Sequence, residues 1–197
     1  MKKAYIKIER YVLLCFILPF LSQSQVVLKA DGPGETYELI SSVLAPGKSA
    51  VEAPDHNKLG NHASFGRHIA EVWDADLKEN VFEFYSHINF VNADQTTTTD
   101  NEPVSNVDQK QRVEIKSYES SPDNLKGTLG ETIVYQWKFK LPIGFQPSSN
   151  FTHLHQIKAV GGTQDMPIFT LTAKKASENK FNVVHNNETI VASMNLS

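Results

Sequence analysis

The chain has 197 residues, of which 40% are hydrophobic and 21% charged, with a formal net charge of −3. That is enough apolar material for one domain with a real core, and too acidic a balance for a general nucleic-acid binder. The one cysteine, Cys15, lies in the N-terminal leader, which excludes a disulfide framework or a cysteine metal site from the remainder.

Lys2, Lys3, Lys7 and Arg10 precede an apolar run at 11–21 that is too short to anchor in a bilayer, and Ser22-Gln23-Ser24 follows. This is the pattern of a secretory signal peptide cleaved near Ser24, so residues 25–197 form the expected domain of a secreted or periplasmic protein. Leu13 and Leu14 stand where a lipidated cysteine usually has a small residue, so no membrane anchor is expected. The leader carries four Lys/Arg and one Glu, so its loss leaves 173 residues with a net charge of −6. Such a chain can handle a polyanion only through a local basic groove.

Residues 35–44 place Tyr37, Ile40, Val43 and Leu44 at roughly helical spacing before Ala45-Pro46-Gly47, which stops a short helix. The polar stretch 49–64 reads as a surface loop. Strands are expected at 65–73 and 81–90, joined by the turn chemistry of Asp74-Ala75-Asp76 and Lys78-Glu79-Asn80. On the second strand Phe82, Phe84, Ile88 and Phe90 share one face, and Glu83, Tyr85, His87 and Asn89 the other. Residues 92–109 form a low-complexity loop.

The stretch 111–118 alternates without error: Arg112, Glu114, Lys116 and Tyr118 on one face, Val113, Ile115 and Ser117 on the other. The polar row, with members about 7 Å apart, suits an anionic ligand laid along a sheet. A solvated face fits it equally well. Residues 132–141 alternate as cleanly, with Ile133, Tyr135, Trp137, Phe139 and Leu141 inward. Further strands are expected at 151–159, 167–173, 180–185 and 189–193. Many short strands, turn signals and little helix point to an all-β sandwich or jelly roll.

Segment 150–158 (NFTHLHQIK) puts Gln156 and Lys158 on one face with Thr152 and Leu154, and His153, His155 and Ile157 on the other. Three readings are open. His-x-His could begin a cupin-type metal site, although no carboxylate follows until Asp165. His153 could be a hydrogen-bonded structural residue. The third reading is acid–base chemistry on an anionic sugar.

Arg-Val-Glu-Ile at 112–115, followed some forty residues later by His-Gln-Ile-Lys at 155–158, resembles the motif pair of the jelly-roll polysaccharide lyases. That group contains alginate lyases, heparin lyase I and glucuronan lyases. The similarity spans roughly residues 65–173. It implies a concanavalin-like β-jelly roll, an acidic polysaccharide as partner, no cofactor, a monomer, and cleavage of a uronate linkage by β-elimination. It also implies that Arg112 and Gln156 neutralise the uronate carboxylate while Glu114 orients Arg112. The alginate-lyase base falls at Lys158, where lysine replaces histidine, so His87 becomes the preferred base and His155 the reserve if the strand bulges. Lys116, Tyr118 and Tyr85 join Glu114 as substrate-binding candidates. The late Tyr-Phe-Lys-x-Gly-x-Tyr motif of the alginate lyases has no match in 174–197, which implies a shortened chain or another tyrosine in its place. The alternative function is a carbohydrate-binding domain without turnover.

Overall fold

A computed structural model describes residues 25–55, 66–86, 90–91, 97–98, 112–148, 151–160, 166–175, 178–186 and 189–196. The expected signal peptide lies outside these residues, as does His87. The regular structure of the described chain is mostly strand in antiparallel sheets, with one α-helix, which agrees with the all-β expectation. No described helix is long and apolar enough to cross a membrane.

The helix, α1 (Thr36–Leu44), forms where the spacing placed it, and Ala45 caps it by donating its N–H to the Ser41 carbonyl. Tyr37, Ile40 and Leu44 turn one stripe toward the core. Strand β1 (Val51–Glu52) lies in the stretch expected to be a surface loop. Val51 and Ala53 are buried there, and burying them against α1 and β2 (Ile69–Asp74) outweighs the polar character of the surrounding residues.

Strand β2 pairs antiparallel with β3 (Glu79–Phe84), from Ile69 opposite Phe84 to Asp74 opposite Glu79. Asp74 Oδ1 closes the hairpin by accepting the amides of Asp76 and Leu77 at 2.9 and 3.0 Å. Lys78 takes the left-handed conformation (φ 56°) that this turn requires. Strands β4 (Phe90–Val91) and β5 (Thr97–Thr98) make a two-residue pair.

Strand β6 (Glu114–Ile115) is all of the 111–118 stretch that is paired among the described residues. Its partner β1 is two residues long, so the ladder is too: Val51 opposite Ile115 and Glu52 opposite Glu114. Val113 and Ile115 pack on the core as their alternation requires. Tyr118 departs from it: the ring packs on the same core and its hydroxyl donates to the Ser49 carbonyl at 3.0 Å.

The largest sheet has strand order β10-β9-β8-β7. Its members are β7 (Thr152–Ile157), β8 (Phe169–Lys174), β9 (Lys180–His185) and β10 (Thr189–Asn195), all antiparallel. Segment 132–141, expected to be a strand, belongs to no described sheet. Its alternation is nevertheless real. Trp137 lies on His155 with ring centroids 4.2 Å apart, and Phe139 lies on Phe181 at 5.7 Å. Trp137 and Phe139 rest on the sheet's face while about half exposed, and the backbone has no ladder partner among the described residues. Alternation specifies two faces, whereas a ladder also needs a neighbouring strand edge.

Candidate functional site

Two polar constellations emerge from this fold. The first is built on β1 and β6. Glu52 and Glu114 are directly opposite each other, and Arg112 and Lys116 flank them. Arg112 Nη1 donates to Glu52 Oε1 at 2.9 Å and lies 3.8 Å from Glu114, while Lys116 Nζ donates to Glu52 Oε2 at 2.7 Å. Two carboxylates side by side cannot both ionise cheaply. Burial and the adjacent Glu52 push Glu114 up to about 7. Burial opposes ionisation of Glu52 as well, but hydrogen bonds from Lys116 and Glu114 and the charge of Arg112 outweigh it and hold Glu52 below the usual carboxylate range. The carboxyl pair lies between two cations, an arrangement that ties β1 to β6.

Tyr85, just past β3, donates to Glu83 Oε2 at 2.6 Å. That bond, with burial, pushes its hydroxyl up to about 12 and keeps it protonated near neutrality. His68, singled out by no sequence signal, is fully buried. Its Nδ1 is 2.8 Å from Asp55 Oδ1, its N–H donates to the Tyr37 hydroxyl, and Tyr37 donates in turn to Asp55. Burial and the Asp55 carboxylate raise the Tyr37 hydroxyl well above its ordinary value. This network joins α1, the end of β1 and β2, and it stabilises the fold.

The second constellation is the polar face of the large sheet. Between His153 and His155 the register of β7 against β8 shifts: His153 faces Thr172 and His155 faces Leu171. Leu154 is the extra residue of a β-bulge. The bulge corrects the expected faces, because directly opposed residues share a face. His153 joins Gln156, Thr170 and Thr172. His155 turns away with Leu171, beneath Trp137. The reserve base is thus on the opposite face from Gln156, and burial lowers its pKa with Nε2 hydrogen-bonded to nothing among the described residues. The same bulge separates the two imidazoles that a cupin-type site would need on one side, and no group of three metal-ligating side chains occurs among the described residues.

The register continues across β9 and β10. One row reads His153, Thr172, Asn182 and Ser193; the next, about 7 Å along the strands, holds Lys174 opposite Lys180. Gln156, Lys174 and Lys180 are exposed, and Lys158 is exposed just past the end of β7. Phe151, 54% exposed, stacks on the His153 imidazole at 4.4 Å and 22°. The Thr172 and Thr170 hydroxyls are hydrogen-bonded at 2.9 Å, and His153 Nδ1 is 2.8 Å from the Thr172 oxygen. Asn182 Oδ1 is buried with no hydrogen-bond partner among the described residues.

The sequence-stated candidates therefore divide. Arg112, Glu114, Lys116 and Tyr118 belong to the small sheet, Tyr85 to the hairpin, and Gln156, His155 and Lys158 to the large sheet and its edge. The polar residues that join Gln156 on one face (His153, Thr172, Asn182, Lys174 and Lys180) carry no recognisable motif. Only the strand alternation at 169–174 and 180–185 could have grouped them. Comparison with known proteins finds no matching family model, no similar curated protein and no similar solved structure.

Proposed function

We propose that this chain is a secreted polysaccharide lyase with a jelly-roll sandwich, acting on a uronate-containing acidic polysaccharide by β-elimination at the polar face of its four-stranded sheet. The observation that carries this reading is the row spacing on that face. A pair of directly opposed lysines lies one row from His153 and Thr172, and Gln156 lies on the other side. Like charges placed opposite each other oppose sheet formation, and an anion seated between Lys174 and Lys180 relieves that repulsion. The resemblance of 112–115 and 155–158 to the lyase motifs supports the same substrate class.

The chemistry fits these groups. The C5 proton of a uronate becomes acidic only when the adjacent carboxylate is neutralised, which calls for cations and amide donors near it and a base beside C5. Lys174 and Lys180 supply the neutralising cations, and the Gln156 amide, two rows or about 14 Å along the strands, is placed for a neighbouring sugar. The exposed Phe151 ring supplies an apolar surface for a sugar face. Arg112, whose Nη1 is bonded to Glu52, is assigned to the clasp between β1 and β6.

A non-catalytic carbohydrate-binding domain is the second reading, favoured by the placement of Arg112 and Gln156 on separate sheets. Incubation of the chain with alginate, heparin-type glycans, glucuronan and pectin separates the two. A lyase leaves an unsaturated sugar that absorbs in the near ultraviolet. Binding with a flat absorbance trace selects the non-catalytic reading.

A further inference from the structure

We propose that the acidic cleft between the 31–35 loop, α1 and β2 binds an aliphatic di- or polyamine, one primary ammonium of which is held by the buried carboxylate of Glu71. The site belongs to neither of the constellations described above, so it stands or falls independently of the lyase reading.

The cleft has a volume of about 470 Å³, within the range of small-molecule sites. Four carboxylates line it, those of Asp31, Glu35, Glu38 and Glu71, together with the apolar Pro33 and Leu39. Among the described residues its walls carry no lysine or arginine. Two of the acids have a local reason to be there. Glu35 is the N-cap of α1 and Glu38 lies in its first turn, where the helix dipole favours carboxylates. Glu38 also holds Arg67 in a two-pronged ion pair at 2.6 and 2.8 Å.

Glu71 has no such reason. It stands on β2 opposite Phe82 and is only 4% exposed. Its Oε2 accepts the amides of Asp31 and Gly32 at 2.7 and 2.9 Å, which ties the loop to the strand. Its Oε1 is buried with no hydrogen-bond partner among the described residues. A glutamine oxygen would tie the loop as well without the cost of burying a charge. A buried carboxylate with one oxygen satisfied and the other bare calls for a cation.

The donor set selects the kind of cation. No three ligating side chains converge among the described residues, so the cleft does not offer the cage of a calcium or transition-metal site. An ammonium needs less, being a compact charge with three donors. One ammonium meets Glu71 Oε1, and the methylenes behind it lie along Pro33 and Leu39. A second reaches the exposed Glu35 and Glu38, which are neighbours on one face of the helix.

The test titrates the full chain with spermidine, putrescine and butylamine in a calorimeter, at low and at physiological salt. Saturable one-to-one binding of spermidine is expected. It should weaken as salt rises, and butylamine, with a single ammonium, should bind about tenfold less tightly. Glu71→Gln keeps an oxygen for the two loop amides and removes the charge. It is expected to lower spermidine affinity by at least about tenfold, with an unchanged circular dichroism spectrum. Carboxyl-carbon NMR of the wild type gives a readout that needs no variant, and the Glu71 resonance is expected to move with saturation. Absence of saturable binding, equal affinity in Glu71→Gln, or a stationary Glu71 resonance overturns the proposal. Calcium chloride that binds more tightly than spermidine and displaces it puts a metal ion in place of the amine, and overturns it too.

Discussion

The short β1–β6 sheet and the four-stranded sheet both present charged and polar rows, and they differ in where those groups find partners. Around β6, Arg112 and Lys116 converge on Glu52, with Glu114 pushed up beside it, so opposite charges meet within the protein. On the large sheet, Lys174 faces Lys180, and neither makes an ion pair among the described residues. A row of charges that satisfies itself stabilises a fold. A row that repels itself is suited to something that arrives from outside. The stretch with the most regular charge pattern in the sequence is, on this account, the structural one.

The comparison can be broken at its structural end most forcefully through Asp55. It accepts from Tyr37, from the His68 N–H and from the His68 ring. Asp55→Ala removes the carboxylate that these buried groups share and is expected to cost about 2–4 kcal/mol in urea unfolding. Next comes Glu52→Ala, which leaves Arg112 and Lys116 without their shared acceptor. Both cations are about a third or more exposed, so solvent screens much of the effect. A loss of about 1 kcal/mol or less is expected, with glycan affinity unchanged.

At the other end, Lys174→Gln with Lys180→Gln removes the opposed lysines. Affinity for an acidic oligosaccharide is expected to fall about tenfold, with a flatter salt dependence, while thermal stability stays level or rises by a few tenths of a kcal/mol. Affinity electrophoresis and a melting curve check the two halves together.

The smallest expected effect concerns pH. A carboxyl whose folded pKa is raised, as for Glu114, contributes stability that is complete below its unfolded value near 4.5 and is lost as pH rises toward about 7. Glu52, held low, works in the opposite sense below that range and loses its contribution as pH falls. Stability should therefore decline by on the order of 1 kcal/mol between pH 5 and 7. Glu114→Gln should flatten that decline, as denaturant titrations at both pH values would reveal.

The sequence made some of this legible and left the rest hidden, for physical reasons. Helix α1 was readable because Tyr37, Ile40 and Leu44 repeat at helical spacing and Pro46-Gly47 ends the run. The β2–β3 hairpin was readable from its turn residues, although β2 begins at Ile69 rather than near 65. Strand β1 was not, since two residues have no period to detect. For 132–141 Tyr135, Trp137 and Phe139 meet rings of the large sheet but stay about half exposed, and the pairing was absent among the described residues, because a ladder depends on a distant edge. The bulge at Leu154 had the largest consequence. Whether a strand carries one residue more than its neighbour is decided by the neighbour, so alternation along 150–158 alone put His153 and His155 together. The structure divides them, and with them the candidate site.

The central claim, that the polar face of the large sheet rather than the 112–118 strand meets the acidic glycan, is tested most directly by chemical-shift mapping. The isotope-labelled chain would be titrated with uronate oligosaccharides of the class that it binds. The account requires shifts concentrated at Phe151, His153, Gln156, Lys174, Lys180 and Asn182, with Glu52, Arg112, Glu114 and Lys116 unmoved. Shifts confined to the second group would contradict it and return the binding role to the charged strand.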